Sequence, residues 1–481
     1  MKIGSALLAG TVALAALVAA CEGCKPSSMG KPALSVVAGA PTGRLVLFSD
    51  LAAALEPCGC VADQRGGLAR LGAFASGQAF PVVMGAAGPT FFDDVQLNAS
   101  HAAQELEKAH TVAQVFAQQP VFLAPSRSEF AAGSDELAKL VAESKVGVVS
   151  RSLRVAGQPV GEPRLVSVGA TKVAFIGYSG APHDTLVPPL EGLSFDANVT
   201  SLQSDVAAAQ AAGARFVVLL ASSSRGEALR LVDRTPGIDL VLVGAPSVRG
   251  EVVRDDVPID RIEKTVVVEP ASRLQSVVVV DLVDRGGAFE EGDLAVGAGS
   301  RFVVRQEPVA SKLTKSPESA RILAEYDARI DDQNRVRYAS RTPAPPREGE
   351  AHYVGVGVCG GCHAQPLAVW SATRHAKAYP SLTEKHKAFD LDCVGCHVTG
   401  YEKPGGSTVT HVGNLENVQC EACHGPGSKH VAGGGLKSAI VRKPDPSVCT
   451  GCHHEPHVER SWRVEQAWPK VLGPGHGAHP G

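Results

Sequence analysis

The sequence lacks any large excess of charge, and it has almost no histidine or tryptophan in its first two-thirds. The formal net charge of the 481 residues is −3, so the chain shows no basic footprint of the kind that nucleic-acid binding requires. Only three of the 16 histidines precede residue 352, and all three tryptophans follow residue 369. Attention therefore falls on the last third of the chain.

Eight of the 12 cysteines lie there in four copies of the pattern Cys-x-x-Cys-His. In chain order, motifs 1 to 4 are Cys359/Cys362/His363, Cys393/Cys396/His397, Cys420/Cys423/His424 and Cys449/Cys452/His453. This pattern is the attachment signature of c-type haem: the two thiols bond covalently to the porphyrin, and the adjacent histidine ligates the iron. The sequence therefore predicts four haem c groups, with these histidines as proximal ligands.

Two other roles are open to these cysteines. Pairs of Cys-x-x-Cys motifs can form a tetrahedral zinc site, but zinc does not need a histidine directly after every pair. A disulfide within Cys-x-x-Cys closes a very short loop and tends to be labile and redox-active. Haem accounts for both cysteines and for the histidine of each motif.

The N-terminus has the pattern of an exported lipoprotein. Lys2 precedes the apolar run Ala6–Ala20, which is typical of a signal peptide and shorter than the roughly 20 residues of a transmembrane helix. The run ends in Leu17-Val18-Ala19-Ala20-Cys21, which resembles a bacterial lipobox. We expect residues 1–20 to be removed and Cys21 to carry the lipid. An ordinary cleavage site that happens to precede a cysteine is the alternative.

The next segment indicates where such a protein is held. Residues 21–43 are rich in Gly, Pro, Ser and Ala and predict a flexible tether. Haem is attached to thiols outside the cytoplasmic membrane in bacteria, which agrees with export. Glu22 rather than Asp after the cysteine favours the outer membrane. We expect anchoring in the cell envelope, facing the periplasm or the cell exterior.

From Arg44, short apolar runs alternate with amphipathic segments. The runs predict strands at Leu45–Phe48, Phe80–Met84, Val121–Leu123, Val146–Val149, Val173–Ile176, Phe216–Leu220, Leu240–Val243, Thr265–Val268 and Leu274–Leu282. The amphipathic segments predict helices at Ala102–Gln118, Asp135–Ser144, Val199–Ala212 and Gly226–Val232. This alternation predicts an α/β domain over residues 44–300 with a largely buried sheet.

The chain changes character twice after that domain. In residues 301–346, Ser316 and Pro317 have the types expected at the cap and first turn of a connecting helix, and Thr342–Pro346 predicts a stiff hinge. In residues 347–481, Gly, His and Cys dominate and the alternation typical of strands disappears. We expect a mainly helical and irregular domain whose interior is supplied by porphyrins.

The segment Arg44–Arg285 resembles the 5′-nucleotidase branch of the metallophosphoesterases. Leu45–Asp50 matches the first strand and its metal-binding aspartate, Lys172–Gly177 matches a mid-domain strand, and Pro236–Gly244 matches the strand before the last metal-binding loop. The resemblance implies an α/β fold in which two metal ions and a bridging hydroxide act at the strand ends.

The metal ligands of that family are largely missing. Asp50 is the one ligand retained, and one carboxylate does not hold two metals. The other ligand positions are occupied by Ala52, Ala86-Ala87-Gly88, Pro125-Ser126-Arg127-Ser128-Glu129, Ser222-Ser223-Ser224 and Gly244-Ala245-Pro246-Ser247. His101, His110 and His183 lie outside these motifs. We therefore predict that this domain is catalytically silent.

Cys58 and Cys60 follow the first predicted strand, where the pocket of an α/β sheet opens. A Cys-x-Cys pair can bind a metal through two thiolates or form a redox-active disulfide. The alternative is a loop with structural thiols or a simple disulfide. Cys24 has no evident partner.

Residues from Ala351 to about His457 resemble the tetrahaem cytochrome c-554 family. The resemblance is carried by Trp370–Ala376, by Cys396–Tyr401 and by Val418–His430. It implies His375 and His430 as distal iron ligands, and His411 and His352 come next by position. The remaining spare histidines are His386, His454, His457, His476 and His479.

The leading hypothesis is a multihaem electron carrier that serves a redox partner protein, is held to a membrane by its lipid and does not bind nucleic acid. Closely spaced haems suit this role because electron tunnelling falls steeply with distance. One alternative is a redox enzyme that acts on a small nitrogen compound at a pentacoordinate haem. Another is a metal-dependent phosphoesterase coupled to a cytochrome.

Overall fold

The computed structural model describes residues 40–57, 64–248, 255–454, 457–458 and 462–473. Its strands, β1 to β16 in chain order, are Gly43–Ser49, Val82–Ala87, Val121–Ala124, Gly147–Val148, Leu153–Val155, Gln158–Pro159, Arg164–Val168, Thr171–Ser179, Leu193–Phe195, Phe216–Ser222, Leu240–Gly244, Val257–Ile262, Thr265–Glu269, Ser276–Val283, Glu290–Glu291 and Arg301–Pro308. Its α-helices, α1 to α13, are Leu68–Leu71, Ala102–Phe116, Ser134–Ser144, Val199–Ala211, Arg225–Arg234, Pro317–Arg337, Val356–Gly360, Ala364–Ser371, Pro380–Thr383, Leu391–His397, Cys420–His424, Ser428–Ala432 and Val464–Val471.

Short 3-10 helices connect several of these elements. They span Gly72–Phe74, Arg127–Phe130, Arg374–Lys377, Gly413–Leu415, Lys437–Ala439 and Pro446–Gly451. None of the helices in the described ranges is long and apolar enough to cross a membrane.

The strands form two large sheets and one small sheet. The first has the order β15-β16-β14-β1-β2-β3-β4, the second β12-β13-β11-β10-β8-β7, and the third β6-β5-β9. Strands β1 to β4 run parallel to one another, and so do β8, β10, β11 and β13. Parallel strands leave their carboxyl ends at one edge of a sheet, and this is the edge at which α/β proteins bind ligands.

The two large sheets pack face to face because each presents apolar side chains to the other. Leu45 and Leu47 of β1 lie in one buried cluster with Phe175 of β8 and with Phe216 and Leu220 of β10. Helices α4 and α5 cover the far face of the second sheet, and α2 covers the first, where the rings of Phe48 and Phe116 are 5.8 Å apart. The α/β prediction for this half is confirmed.

Helix α6 joins the two halves of the chain. The hydroxyl of Ser316 caps it by accepting a hydrogen bond from the amide of Ser319, and Pro317 occupies its first turn. The helix packs along α2 and buries Ile322, Tyr326 and Ile330. It is therefore part of the packed structure and not a free spacer.

The first sheet extends beyond residue 300, where the sequence suggested that the α/β domain ends. Strand β16 is antiparallel to β14 along its whole length. The apolar pattern of a buried strand does not predict β16, because this strand carries charged residues. Arg305, for example, lies 2.9 Å from the buried carboxylate of Asp281. A paired arginine is stable inside a sheet, although its charge breaks the apolar pattern of a buried strand.

The C-terminal half has short helices and a small interior, as predicted. Its buried apolar cluster is formed by Leu391, Val394, Val398 and Val409. Partly buried aromatic side chains, including Tyr338, surround this cluster. Burial of so few side chains cannot by itself offset the conformational entropy of more than a hundred residues.

Candidate functional site

The ligand-binding edge of the α/β half is closed by its own hydrogen bonds. Asp50 follows β1, and its Oδ1 accepts a hydrogen bond from the amide of Ala245 at 2.7 Å. The hydroxyl of Ser222, at the end of β10, accepts from the amide of Gly88 and donates to the carbonyl of Ala124, both at 2.6 Å. Residues at the positions that hold metal ligands in the metallophosphoesterases thus form hydrogen bonds with one another.

Glu129, the carboxylate in the altered segment Pro125-Ser126-Arg127-Ser128-Glu129, is used in the same way. It is fully buried and accepts hydrogen bonds from the amides of Thr90 at 2.5 Å and Phe91 at 3.0 Å. Burial raises the pKa of this carboxyl to about 8. No group of three or more His, Cys, Asp or Glu side chains in the described ranges could hold a metal ion. Within the described residues, the polar groups at this edge are used to hold its loops together.

Cys58 and Cys60 fall outside the described residues, as do Cys21 and Cys24. Glu56, two residues before Cys58, lies 3.3 Å from the Nζ of Lys387 in the C-terminal half. Glu56, near the last described residue before the Cys-x-Cys pair, therefore lies where the two halves meet.

Each Cys-x-x-Cys-His motif lies on a turn of helix, which brings its three side chains close together. Motifs 2 and 3 coincide with α10 and α11. In motifs 1 and 4 the histidine amide donates to the carbonyl of the first cysteine, at 3.0 Å for His363 and 2.8 Å for His453. None of the eight cysteines forms a disulfide. The disulfide alternative is not supported by this arrangement.

The four motifs pack as one group. The thiol of Cys359 in motif 1 lies beside that of Cys420 in motif 3, and their interaction lowers the pKa of Cys420. The thiol of Cys396 in motif 2 likewise lies beside that of Cys452 in motif 4 and lowers the pKa of Cys452. Motif 1 thus adjoins motif 3, and motif 2 adjoins motif 4.

Two distal-ligand candidates lie opposite proximal histidines. The ring centroids of His430 and His363 are 6.2 Å apart, and those of His375 and His453 are 6.1 Å apart. Two imidazoles on opposite sides of one iron have centroids roughly 6 Å apart, because each metal–nitrogen bond is about 2 Å long. Both separations suit an iron ion between the rings and are too large for direct stacking.

Backbone carbonyls orient three of the ligand candidates. The Nδ1 atoms of His397 and His424 lie 2.6 Å from the carbonyls of Ala378 and Val441, and the Nδ1 of His430 lies 3.0 Å from that of Leu436. A carbonyl can only accept, so each Nδ1 carries the proton and the Nε2 lone pair is left to bind metal. The donor chemistry therefore fits haem iron.

Burial acts in the same direction on three rings. It lowers the pKa of His375, His397 and His453 and so favours the neutral imidazole, which is the form that ligates a metal. Beside the thiols, Val358 and Val448 precede the first cysteines of motifs 1 and 4 and are 45% and 37% exposed. They offer apolar surface to a porphyrin at its points of attachment.

The structure leaves the two remaining distal candidates away from the proximal rings. His411 and His352 are exposed, and neither is a ring neighbour of a proximal histidine in the described ranges. His457 instead lies close enough to His397 for a like-charge effect that helps to lower the pKa of His397. The sequence predicted no role for His457 at a haem site. It also predicted none for Trp462, whose ring stacks on that of His453 with the centroids 5.1 Å apart.

A buried carboxylate ties motif 1 to motif 3. Glu421 lies between the cysteines of motif 3 and is 2% exposed. Its oxygens accept hydrogen bonds from the amides of Val354, Gly355 and Gly427 at 2.7 to 3.1 Å. Since Val354 and Gly355 immediately precede α7, this residue positions the first motif against the third.

Motif 2 is fixed to the α/β half by Gln104 of α2, which is 1% exposed. Its amide nitrogen donates to Asp390 at 2.7 Å, and its oxygen accepts from Asn334 at 2.9 Å and from the amide of Leu391 at 3.0 Å. Next to it, Lys108 lies 3.0 Å from Asp392. These contacts cap the start of α10 and hold motif 2 on α2 and α6.

Comparison with known proteins agrees with this geometry for the C-terminal half. Residues 358–425 match the family model for cytochrome c554 and c-prime. Cytochrome c-554 of Nitrosomonas europaea is 39% identical over 94 residues, which are 16% of this chain and 40% of that protein. The predicted resemblance of this segment is confirmed, and it supports covalently bound haem c and electron transfer. The chain spans less than half the length of this relative.

Solved structures resemble the N-terminal half in overall shape. The sulfate thiohydrolase SoxB of Thermus thermophilus is 20% identical with a TM-score of 0.48 and covers 62% of each chain. A 5′-nucleotidase precursor of the same species is 18% identical with a TM-score of 0.46, over 63% of this chain and 60% of that one. At such identities and scores, the likeness carries no conclusion about activity.

Proposed function

We propose that this chain is a multihaem c-type cytochrome that carries electrons through four covalently attached haems, while its α/β half acts as a catalytically silent scaffold. The observation that carries the proposal is the pairing of His363 with His430 and of His375 with His453 at about 6 Å across the motif cluster. Haem, when bound, supplies reversible one-electron chemistry at its iron. At the two irons that these ring pairs would hold, in motifs 1 and 4, no position would be left for a substrate, which favours electron transfer.

The residues of this chain have distinct tasks in that role. The eight motif cysteines attach the groups, and the carbonyls of Ala378 and Val441 aim the proximal rings. Glu421 and Gln104 fix the spacing of the motifs, on which the electron-transfer rate depends steeply. The scaffold role of the α/β half follows from its closed strand edge and from its contacts with motif 2.

The mature protein, made in a host that attaches haem c, tests the proposal by mass, optical spectrum and EPR together. We expect a mass gain of four haems and two distinct low-spin ferric signals, because the ring pairs differ in interplanar angle, 25° against 56°. Replacing His430 or His375 with alanine converts one haem to high spin. His386→Asn, at an exposed ring, leaves the spectrum unchanged.

Three results would count against this function. Colourless protein without added mass would show that no haem is attached. High-spin iron at motif 1 or motif 4 in the unaltered protein favours a redox enzyme with an open iron position. Two tightly bound transition metals other than haem iron would make the α/β half a metal-dependent hydrolase. The metal analysis must use the whole chain, since β16 completes the first sheet.

We further propose that lipidation at Cys21 anchors the protein in the cell envelope, with the haems outside the cytoplasm. The lipobox-like sequence before Cys21 supports this, and acyl chains stabilise membrane binding by about 0.8 kcal/mol per buried CH₂. Cys21→Ser moves the protein from the membrane fraction to the soluble fraction, whereas Cys24→Ser does not. Unchanged membrane association of Cys21→Ser contradicts the proposed anchor.

A further inference from the structure

Four exposed cations lie beside motif 3. Lys429, Lys437, Arg442 and Lys443 are the only charged Lys, Arg, Asp or Glu residues in the sequence between Glu421 and Asp445. All four are exposed. None forms an ion pair with a carboxylate in the part of the chain that the structure describes. We call these four residues the basic patch.

Some exposed cations elsewhere in the described residues have carboxylate partners. Arg321 and Arg335 on α6, for example, each bind a carboxylate one turn away. Pairing of that kind cancels the field of a cation at a distance. The basic patch keeps its full field, in a chain whose net charge is −3.

The segment that carries the patch is fastened to two iron-ligand candidates. His424 and Val441 exchange two hydrogen bonds, from Nδ1 to the Val441 carbonyl at 2.6 Å and from the Val441 amide to the His424 carbonyl at 3.2 Å. The Nδ1 of His430 binds the carbonyl of Leu436 at 3.0 Å. The patch therefore borders the sites of motif 3 and, through the pairing of His430 with His363, motif 1.

Motif 2 contacts the α/β half at its start, where Gln104 and Lys108 of α2 bind Asp390 and Asp392. Motif 1, in contrast, has Cys362, the one exposed cysteine among the eight. An outside partner therefore has the easiest approach to the motifs next to the basic patch.

We propose that the basic patch is the docking surface for a redox protein with an acidic surface around its own electron-carrying centre. This inference rests on the proposed electron-transfer function. Haem held by the residues of motifs 1 and 3 would accept one electron from the partner's centre in each encounter. Complementary charge of this kind speeds association and orients the partner, and salt screens it over about 10 Å at 0.1 M ionic strength.

An anionic lipid surface would be attracted by the same charges. The position of the patch favours the redox protein, because Leu436 and Val441 join it directly to His430 and His424, where a partner must approach closely for electrons to move. Binding to a lipid surface does not depend on closeness to these two histidines. The two partners are separated by the experiment below.

The probe is reduced plant-type ferredoxin, an acidic one-electron donor, mixed with the oxidised holoprotein in a stopped-flow instrument at increasing salt. The double variant Lys437→Glu and Arg442→Glu reverses half of the patch. The control variant Lys385→Glu and Lys403→Glu makes the same charge change at exposed lysines outside the patch. Dithionite reduction and haem content are measured for every variant.

We expect the patch variant to be reduced about tenfold more slowly than the unaltered protein at low salt and to lose most of its salt dependence, while the control variant changes less than twofold. Equal slowing of the two variants, or none, overturns the proposal. So does patch-dependent binding to phosphatidylglycerol vesicles with an unchanged rate towards ferredoxin. Haems that dithionite cannot reduce would instead refute the electron-transfer function itself.

Discussion

The two halves of this chain obtain their interiors in different ways. In the α/β half, β1, β10 and β14 are buried along their full length, and apolar side chains fill the space between two sheets. In the C-terminal half, the apolar cluster centres on four residues of and around α10, and polar groups such as Glu421 and Gln419 make many of the contacts. The first half has the kind of interior that hydrophobic burial stabilises, whereas we expect the second half to depend on attached haem.

The largest expected effect comes from withholding haem. In a host that does not attach haem c, we expect protease to cleave residues after 347 roughly tenfold faster or more, while the α/β half stays resistant. Limited trypsin digestion followed by mass spectrometry measures this against the holoprotein. Equal resistance of the C-terminal half with and without haem would contradict the comparison. Cys393→Ala with Cys396→Ala, which removes one haem only, should give an intermediate result.

The second effect lies within the C-terminal half. Glu421→Ala leaves three backbone amides, two of them buried, without their acceptor, and we expect it to lower the free energy of unfolding by about 3 kcal/mol. Glu421→Gln keeps the shape and one acceptor oxygen, so its loss should be smaller, about 1 kcal/mol. Urea unfolding followed in the Soret band measures both. Equal stability of Glu421→Ala and the unaltered protein would show that the hydrogen bonds to Glu421 do not stabilise the holoprotein.

The contact between the halves should matter somewhat less. Gln104→Ala removes the partners of Asp390, Asn334 and the amide of Leu391, and we expect a loss of about 2 kcal/mol. Gln114→Ala, on the same helix and with a single bond to Glu143, serves as the control. If the halves unfold independently, the change will appear in the haem signal alone. If they form one unit, the far-ultraviolet and Soret transitions will move together.

The sequence predicts the α/β half well because its signal is local. Apolar runs such as Phe216–Leu220 match β10 closely, and Ala102–Gln118 covers α2. Strand β16 escapes prediction because Arg305 is neutralised by Asp281, a residue distant in the chain. The four cysteine motifs can also be recognised from the sequence, because each one lies within five consecutive residues.

The parts of the site that depend on tertiary contact could not be read in this way. Nothing in the spacing shows that His430 faces His363 or that His457 approaches His397. Glu421 occupies an unconstrained position within its motif, and Gln104 lies nearly 300 residues before α10. Their roles arise from which surfaces meet, and a single sequence does not encode that in any local pattern.

The smallest expected effect concerns pH and the α/β half alone. His110 on α2 binds Glu143 through Nδ1 at 2.6 Å and Glu136 through Nε2 at 2.9 Å. Burial lowers the pKa of this ring, but its bonds to Glu143 and Glu136 outweigh burial, so the pKa is raised above its usual 6.5. The charged ring therefore stabilises the fold below about pH 6.5, and this contribution is lost as the pH rises through the elevated value. The ring is about one-third exposed, so the effect should stay within about 1 kcal/mol.

The urea midpoint of the unaltered protein minus that of His110→Gln should be larger at pH 5.5 than at pH 8.5. His183→Gln, at a mostly exposed ring 3.8 Å from Glu227, is the control and should show no such difference.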